Sequence, residues 1–303
     1  MAPEPVTRPR DFRVGRRLGE HALAMLEGRV AESDVPRPRL AATVLLVRDA
    51  PTAPAPRNAV QVFMIRRVPT MEFAPSMWVF PGGGVDQRDA ATDVPWAGPS
   101  PAEWAERIGV DEATARELVI AAVREVFEEC GVLLAGPDDG SVVGDVSGDA
   151  WGQERAALLS REQSFAQLLS RRGLVLRSDL LTLRDHWVTP PFEPKRYDTY
   201  FFAALLPVGQ IPDDATTEAD LSVWVDPDAL LDEVAAGEQR MMPPTVVNVE
   251  RVARARSAAD FVAERPPVVR VMPEPVREQD RVVLRAHLPS EDLPSEDLPS
   301  GQD

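Results

Sequence analysis

The segment Val119-Ile120-Ala121-Ala122-Val123-Arg124-Glu125-Val126-Phe127-Glu128-Glu129-Cys130-Gly131-Val132 constrains this chain more than any other. On a helix turning about 100° per residue, with Val119 at zero, Val123, Val126, Phe127 and Cys130 fall between about −20° and 80°. That arc is a face to bury. Glu128, Glu125 and Glu129 fall at about 180°, 240° and 280°, so three carboxylates share an arc of about 100° on the opposite side, with Arg124 beside Glu128 at about 140°. Like charges this close repel by a few tenths of a kcal/mol per pair. Carboxylates late in a helix also oppose its macrodipole. Solvated acidic faces usually interleave lysine, and this one has none. A hard divalent cation removes both penalties, and magnesium takes carboxylate oxygens together with water and phosphate oxygens. The residues alone leave two readings open: a cation site for phosphate chemistry, or a solvated charged face with Cys130 in the core.

The rest of the composition excludes more than it selects. The 303 residues carry 33 basic and 49 acidic side chains, a net charge of −16. Such a chain is repelled by nucleic acid phosphates and by anionic lipid, so neither is an expected partner. Hydrophobic residues at 44% suffice for a globular core. Cys130 is the single cysteine, and His21, His186 and His287 show no ligand spacing, which excludes a disulfide framework and a cysteine–histidine zinc site. Met1 to Phe12 has no apolar core for a signal peptide, and no apolar run reaches membrane-spanning length, so a cytoplasmic location is expected.

Hydrophobic periodicity lays out the chain. Residues 1–38 read as an arm, with a helical stripe of Leu18, Ala22, Leu23 and Leu26. Ala41 to Val47 and Val60 to Ile65 read as buried strands, and Tyr197 to Leu206 and Leu221 to Val225 as two more. Asp111 is placed to cap a helix running to about Glu129, with Gly131 ending it. Helical spacing also marks Pro101 to Ile108, Trp151 to Arg172, Asp226 to Ala236 and Thr245 to Phe261. Residues 39–265 form the expected main domain, with insertions near 87–110 and 137–186, and residues 266–287 an extension. In the repeat from Leu288 to the end, Leu-Pro-Ser-Glu-Asp recurs with acids and no base, a composition that predicts a disordered tail over 288–303.

The run Arg124-Glu125-Val126-Phe127-Glu128-Glu129-Cys130-Gly131-Val132 resembles the second half of the Nudix box, REUxEExGU with U aliphatic, and Phe80-Pro81-Gly82-Gly83 resembles its opening. Between the glycine and the arginine about 27 residues are inserted relative to the usual box. The box acid expected eight residues before the arginine falls on Arg116, with Glu117 one step away. A long insert here resembles the subfamily that includes peroxisomal coenzyme A diphosphatases. Met71-Glu72-Phe73-Ala74-Pro75, His186-Trp187-Val188-Thr189-Pro190-Pro191 and Arg196-Tyr197-Asp198-Thr199-Tyr200-Phe201-Phe202 resemble that group too, although the peroxisomal ending and the separate coenzyme A signature are missing.

The resemblance implies a Nudix-type α/β/α sandwich with a mixed β-sheet, and hydrolysis of the pyrophosphate bond of a nucleoside diphosphate derivative. Coenzyme A or an acyl derivative is the expected substrate, with ADP-ribose or a dinucleotide as alternatives. A Nudix-fold ligand-binding or regulatory module without turnover is a reading of another class, which Arg116 favours. By resemblance, Glu125, Glu128 and Glu129 with the Gly83 carbonyl would hold Mg2+ or Mn2+, and Arg124 would fix a glutamate. Glu218, ahead of a late strand, is the expected base, with Glu128 or Glu129 as alternatives. Arg66, Arg67 and Arg196 are candidate phosphate contacts and Phe73 a candidate stacking residue. Relatives of this kind are often homodimers.

Overall fold

Start and stop signals in the sequence set the limits of the acidic helix. In the computed structural model, which describes residues 6–52, 56–70, 74–213, 219–279 and 281–290, it spans Glu112–Cys130. Asp111 accepts hydrogen bonds from the Thr114 backbone N–H at 3.0 Å and hydroxyl at 2.7 Å, satisfying donors that the first turn leaves unpaired. Gly131, at φ 69°, turns the chain out of the helix and returns its N–H to the Phe127 carbonyl.

The elements run β1 (Thr7–Arg13), α1 (Arg16–Leu26), β2 (Arg39–Asp49), β3 (Val60–Arg67), β4 (Trp78–Val79), β5 (Gly82–Gly84), β6 (Trp96–Ala97), α2 (Pro101–Ile108) and α3 (Glu112–Cys130). There follow β7 (Ala135–Gly136), α4 (Asp149–Leu159), α5 (Phe165–Arg172), β8 (Val175–Arg177), β9 (Thr182–Val188), β10 (Tyr197–Leu205) and β11 (Ala219–Val225). The chain closes with α6 (Pro227–Ala235), α7 (Pro243–Ala253), α8 (Ala258–Ala263), β12 (Arg270–Val271), β13 (Glu274–Glu278) and β14 (Arg281–Pro289). Among the described residues no helix is long and apolar enough to cross a membrane.

The chain divides into two compact units. The larger holds residues 40–184 and 200–265. Its strands lie in the order β11-β3-β2-β10-β9, with β4 added to β3 and β5 to β2. β2 and β3 are antiparallel, Val47 facing Val62, and β11 runs antiparallel to β3. The continuous apolar runs of β2 and β3 are buried along their centres, as strands covered on both faces require. Helices α6 and α7 pack on β3, and α3 packs on β5.

The amphipathic expectation for α3 needs correction. From Leu118 to Glu128 every side chain is buried, so Glu125 and Glu128 do not face solvent, and Glu129 is half-buried. β5, a 3-10 turn at Gln87–Ala90, α2 and α4 close around it. The inserted segments hold more than helices: β6 of the first and β8 of the second form a small separate sheet with β7, β6 parallel and β7 antiparallel to β8.

The smaller unit holds residues 1–39, 185–199 and 266–303. The arm is not merely helical, because β1 pairs with β14 from Thr7↔Pro289 to Arg13↔Val283, and β13 lies on the other side of β14. Arg285 grips Asp11 through two bonds of 2.7 and 2.6 Å. The first residues of the predicted tail, Leu288 and Pro289, therefore belong to a strand, held by backbone pairing and by burial of Leu288. Residues 291–303 of that tail lie outside the described residues. Within this unit β12 pairs in parallel with residues 186–187, Arg270 facing His186.

The 3-10 turn beside α3 is fixed by a capping box: Asp86 accepts from the Arg88 N–H and Asp89 accepts from the Asp86 N–H. Arg88 also grips the Asp86 carboxylate at 3.0 and 3.2 Å. These bonds, the Arg88 side chain first, lower the Asp86 pKa from 3.8 to about 2. A depressed carboxylate stabilises the fold above its unfolded pKa, and that contribution is lost as pH falls through its folded pKa. The stability difference between the wild type and Asp86→Asn, from urea titrations, should therefore be constant near neutral pH and shrink between about pH 4 and pH 2. A difference that does not change over that range contradicts the pairing.

Candidate active site

The glycine bend and the acidic helix touch through their polar atoms. β5 pairs with β2, Gly83 facing Ala42. The Gly82 N–H donates to Glu129 Oε2 at 2.7 Å. A Cβ on Gly82 would stand 2.6 Å from the Ala42 carbonyl oxygen, and one on Gly83 would stand 2.6 Å from Glu125 Oε1. At Gly82 the clash is with backbone, and at Gly83 the space is filled by the Glu125 carboxylate, so the double glycine matches close approach of strand and carboxylate.

Arg124 organises the cluster. Its Nε and Nη2 bond the two Asp89 oxygens, both at 2.9 Å, and Nη2 also bonds the Gly84 carbonyl at 3.0 Å. Its Nη1 bonds Glu125 Oε1 at 2.6 Å and Glu128 Oε2 at 2.9 Å. Arg124 is 4% exposed and Asp89 1%. The fork on Asp89 is the planar bidentate geometry that guanidinium and carboxylate favour.

Asp89 is the residue that sequence reasoning missed. The acid partner of the arginine was expected at Arg116 or Glu117. Arg116 instead pairs with Glu112 at 2.9 Å, away from the cluster. Asp89 stands six residues after Gly83, so the insertion falls between Asp89 and Arg124. Counting forward from the glycine, rather than back from the arginine, finds it.

Three carboxylates, those of Asp89, Glu125 and Glu128, thus gather around one guanidinium, and Glu129 on the same helix is held by the Gly82 N–H. Burial raises the Glu125 pKa to about 7, with Glu128 and Asp89 adding to the rise and Arg124 opposing it. Burial likewise raises Glu128. For Arg124, burial is outweighed by Asp89, Glu125 and Glu128, and its pKa lies above the usual arginine range. Glu128 Oε1 is buried and has no hydrogen-bond partner among the described residues.

A divalent cation fits this chemistry. The donors are hard oxygens, one of them an orphan, in a cluster with more negative than positive charge and against a bend that leaves no room for a side chain. Among the described residues no three Asp, Glu, His or Cys side chains converge as a finished cage. Magnesium does not require one, since it is commonly held by one or two carboxylates with water and substrate phosphates completing its shell.

The other candidates are dispersed. Arg66 bonds Asp220 at 2.9 Å and lies over the Trp78 ring at 6.0 Å. Arg66 and Asp220, with Ser76, Glu238, Gln239 and Arg240, line a cavity of about 270 Å3. The Arg67 N–H bonds the Met77 carbonyl, where β3 continues into the segment before β4. Arg196 is a structural tie within its own unit, donating to the carbonyls of Thr189 and Pro36, each at 2.9 Å. Phe73 and Glu218 lie outside the described residues.

The chain has the Nudix fold. It superposes on the crystal structure of a NUDIX hydrolase from Alicyclobacillus acidocaldarius with a TM-score of 0.62 and 26% identity, over 76% of this chain and 99% of that one. It is similar to Putative nudix hydrolase 7 of Caenorhabditis elegans, 29% identical over 196 residues, which are 62% of this chain and 54% of that protein. The chain thus spans about half the length of that curated relative. No protein-family model matches the chain. The box residues around Arg124, the fold and the named relative together support a place among the Nudix hydrolases.

Removing the carboxylate under Arg124 leaves a buried, half-paired charge. Asp89→Ala should destabilise the protein by about 3–5 kcal/mol, the range for breaking a buried ion pair from one side. Chemical denaturation checks this, and a loss below about 1 kcal/mol would place Arg124 in water, contrary to its burial.

Proposed function

We propose that this protein hydrolyses the pyrophosphate bond of a nucleoside diphosphate joined to a second group, with Mg2+ or Mn2+ as cofactor. The observation that carries this reading is the Arg124 hub, which holds Glu125 and Glu128 beside the glycine bend and leaves Glu128 Oε1 without a partner among the described residues. Glu125, Glu128 and Glu129, with the Gly83 carbonyl, would hold the cation. When bound, it supplies positive charge to the anionic phosphate oxygens and makes a water molecule more acidic.

The chain's own groups do the rest. Asp89 and the Gly84 carbonyl fix the plane of the Arg124 guanidinium, and Arg124 fixes one oxygen each of Glu125 and Glu128. Glu129 keeps the helix registered on the strand through the Gly82 N–H. In the reaction, a water oxygen forms a bond to one phosphorus as the bridging P–O bond breaks. The water proton passes to a carboxylate, Glu218 or one of Glu128 and Glu129, and two phosphate monoesters leave.

Coenzyme A or an acyl-CoA is the proposed substrate, giving 3′,5′-ADP and a phosphopantetheine. The support is the sequence resemblance around Phe73, His186 and Arg196 and the long insertion in the box. The reading without turnover drew on Arg116 in place of an acid, and Asp89 removes that support.

A panel of nucleoside diphosphate compounds, incubated with and without Mg2+ and analysed by mass spectrometry, tests the proposal. The expected products are 3′,5′-ADP from coenzyme A, only with metal, and a fall in kcat of about 10²–10⁴-fold for Glu128→Gln with little change in the urea midpoint. AMP as the product would select ADP-ribose or a dinucleotide. No product from any compound would overturn the hydrolase reading.

A further inference from the structure

The last turn of α3 is electrostatically awkward. Its carbonyls have no helical partners and form the negative end of the helix dipole. Glu125, Glu128 and Glu129 crowd the same end, and no basic residue lies in that turn. The compensating cation comes from the inserted helix α4. Arg155, 6% exposed, donates from Nε to the Glu128 backbone carbonyl at 2.8 Å and from Nη1 to Asp213 Oδ1 at 2.5 Å. The Asp213 N–H in turn donates to the Cys130 carbonyl at 3.1 Å. A Cβ on Gly131 would meet Asp213 Oδ2 at 3.0 Å and Arg155 Nη1 at 3.2 Å, so the clamp closes tightly over the helix end.

Helix α4 also makes apolar contacts. Trp151 packs edge-on against Phe127, ring centroids 6.2 Å apart, and Leu158 is buried. Arg155 therefore adds something beyond apolar contact. It bonds the backbone of Glu128, the residue whose Oε1 has no partner among the described residues.

We infer that Arg155 is a positioning residue, supplied by the insertion, which fixes the backbone of Glu128 for cation binding and turnover. The inference rests on the hydrolase reading for its kinetic part only. Backbone order at the helix end and binding of the ion are measurable without a substrate.

The test compares the wild type with Arg155→Met, Arg155→Lys and Asp213→Asn. Its readouts are kcat and KM, Mn2+ affinity by calorimetry, and hydrogen exchange at residues 128–131 of the metal-free protein. Arg155→Met should exchange faster at the helix end, bind Mn2+ at least about tenfold more weakly, and lower kcat by about 10–100-fold with KM within about twofold, as for other residues that orient metal ligands. Arg155→Lys keeps a donor and a charge and should recover part of each loss. Asp213→Asn, which keeps the arginine and weakens its second anchor, should fall between and serves if Arg155→Met does not fold. Mn2+ affinity and kcat both within about twofold of the wild type in Arg155→Met and Asp213→Asn would overturn the inference while leaving the hydrolase reading intact. A wild type inert on every diphosphate, with Mn2+ binding still weakened in Arg155→Met, would support the positioning role and remove the hydrolase reading.

Discussion

Taking a guanidinium out of water costs several kcal/mol unless its N–H donors and its charge are matched. Arg124 has five such donors, and the structure pairs all of them: one with Gly84, two with Asp89, one with Glu125 and one with Glu128. The same bonds set where the glutamates stand. Glycine at position 83 leaves room for the Glu125 carboxylate, which occupies the space a side chain there would need. Helix, bend and 3-10 turn are thus three parts of one hydrogen-bonded assembly, and the candidate cation site is the part whose charge the protein does not fully balance.

Much of this was legible in the sequence where its cause is local. Asp111 and Gly131 fix the ends of α3 through capping chemistry, and the apolar runs of β2, β3 and β11 announce their strands. The spacing of Glu125, Glu128 and Glu129 placed them on one arc. Burial of that arc was not legible, because a helical wheel cannot show what a distant segment lays over it. Asp89 was hidden because the insertion separates it from Arg124 by 35 positions. The pairing of β1 with β14 was hidden for the same reason, since Asp11 and Arg285 lie 274 positions apart.

The insertion explains several of these misses and gains a role from them. One of its ends is the turn that presents Asp89, and Arg88 in that turn donates to the Gln163 carbonyl ahead of α5. A second insertion, after the box, sends Arg155 of α4 back to the end of α3. The segments inserted within and after the box therefore both support it. Arg66 and Arg196 are placed differently: Arg66 pairs with Asp220 at the rim of a cavity, and Arg196 donates to the carbonyls of Thr189 and Pro36.

The central claim is that the carboxylates around Arg124 hold a divalent ion against the glycine bend. Anomalous diffraction from crystals soaked in Mn2+ tests it most directly. The account predicts a peak at about 2.1 Å from Glu128 Oε1, the distance of a hard cation to a carboxylate oxygen. A saturating soak that leaves this oxygen without an ion, and places manganese only at other carboxylates of the surface, would contradict it.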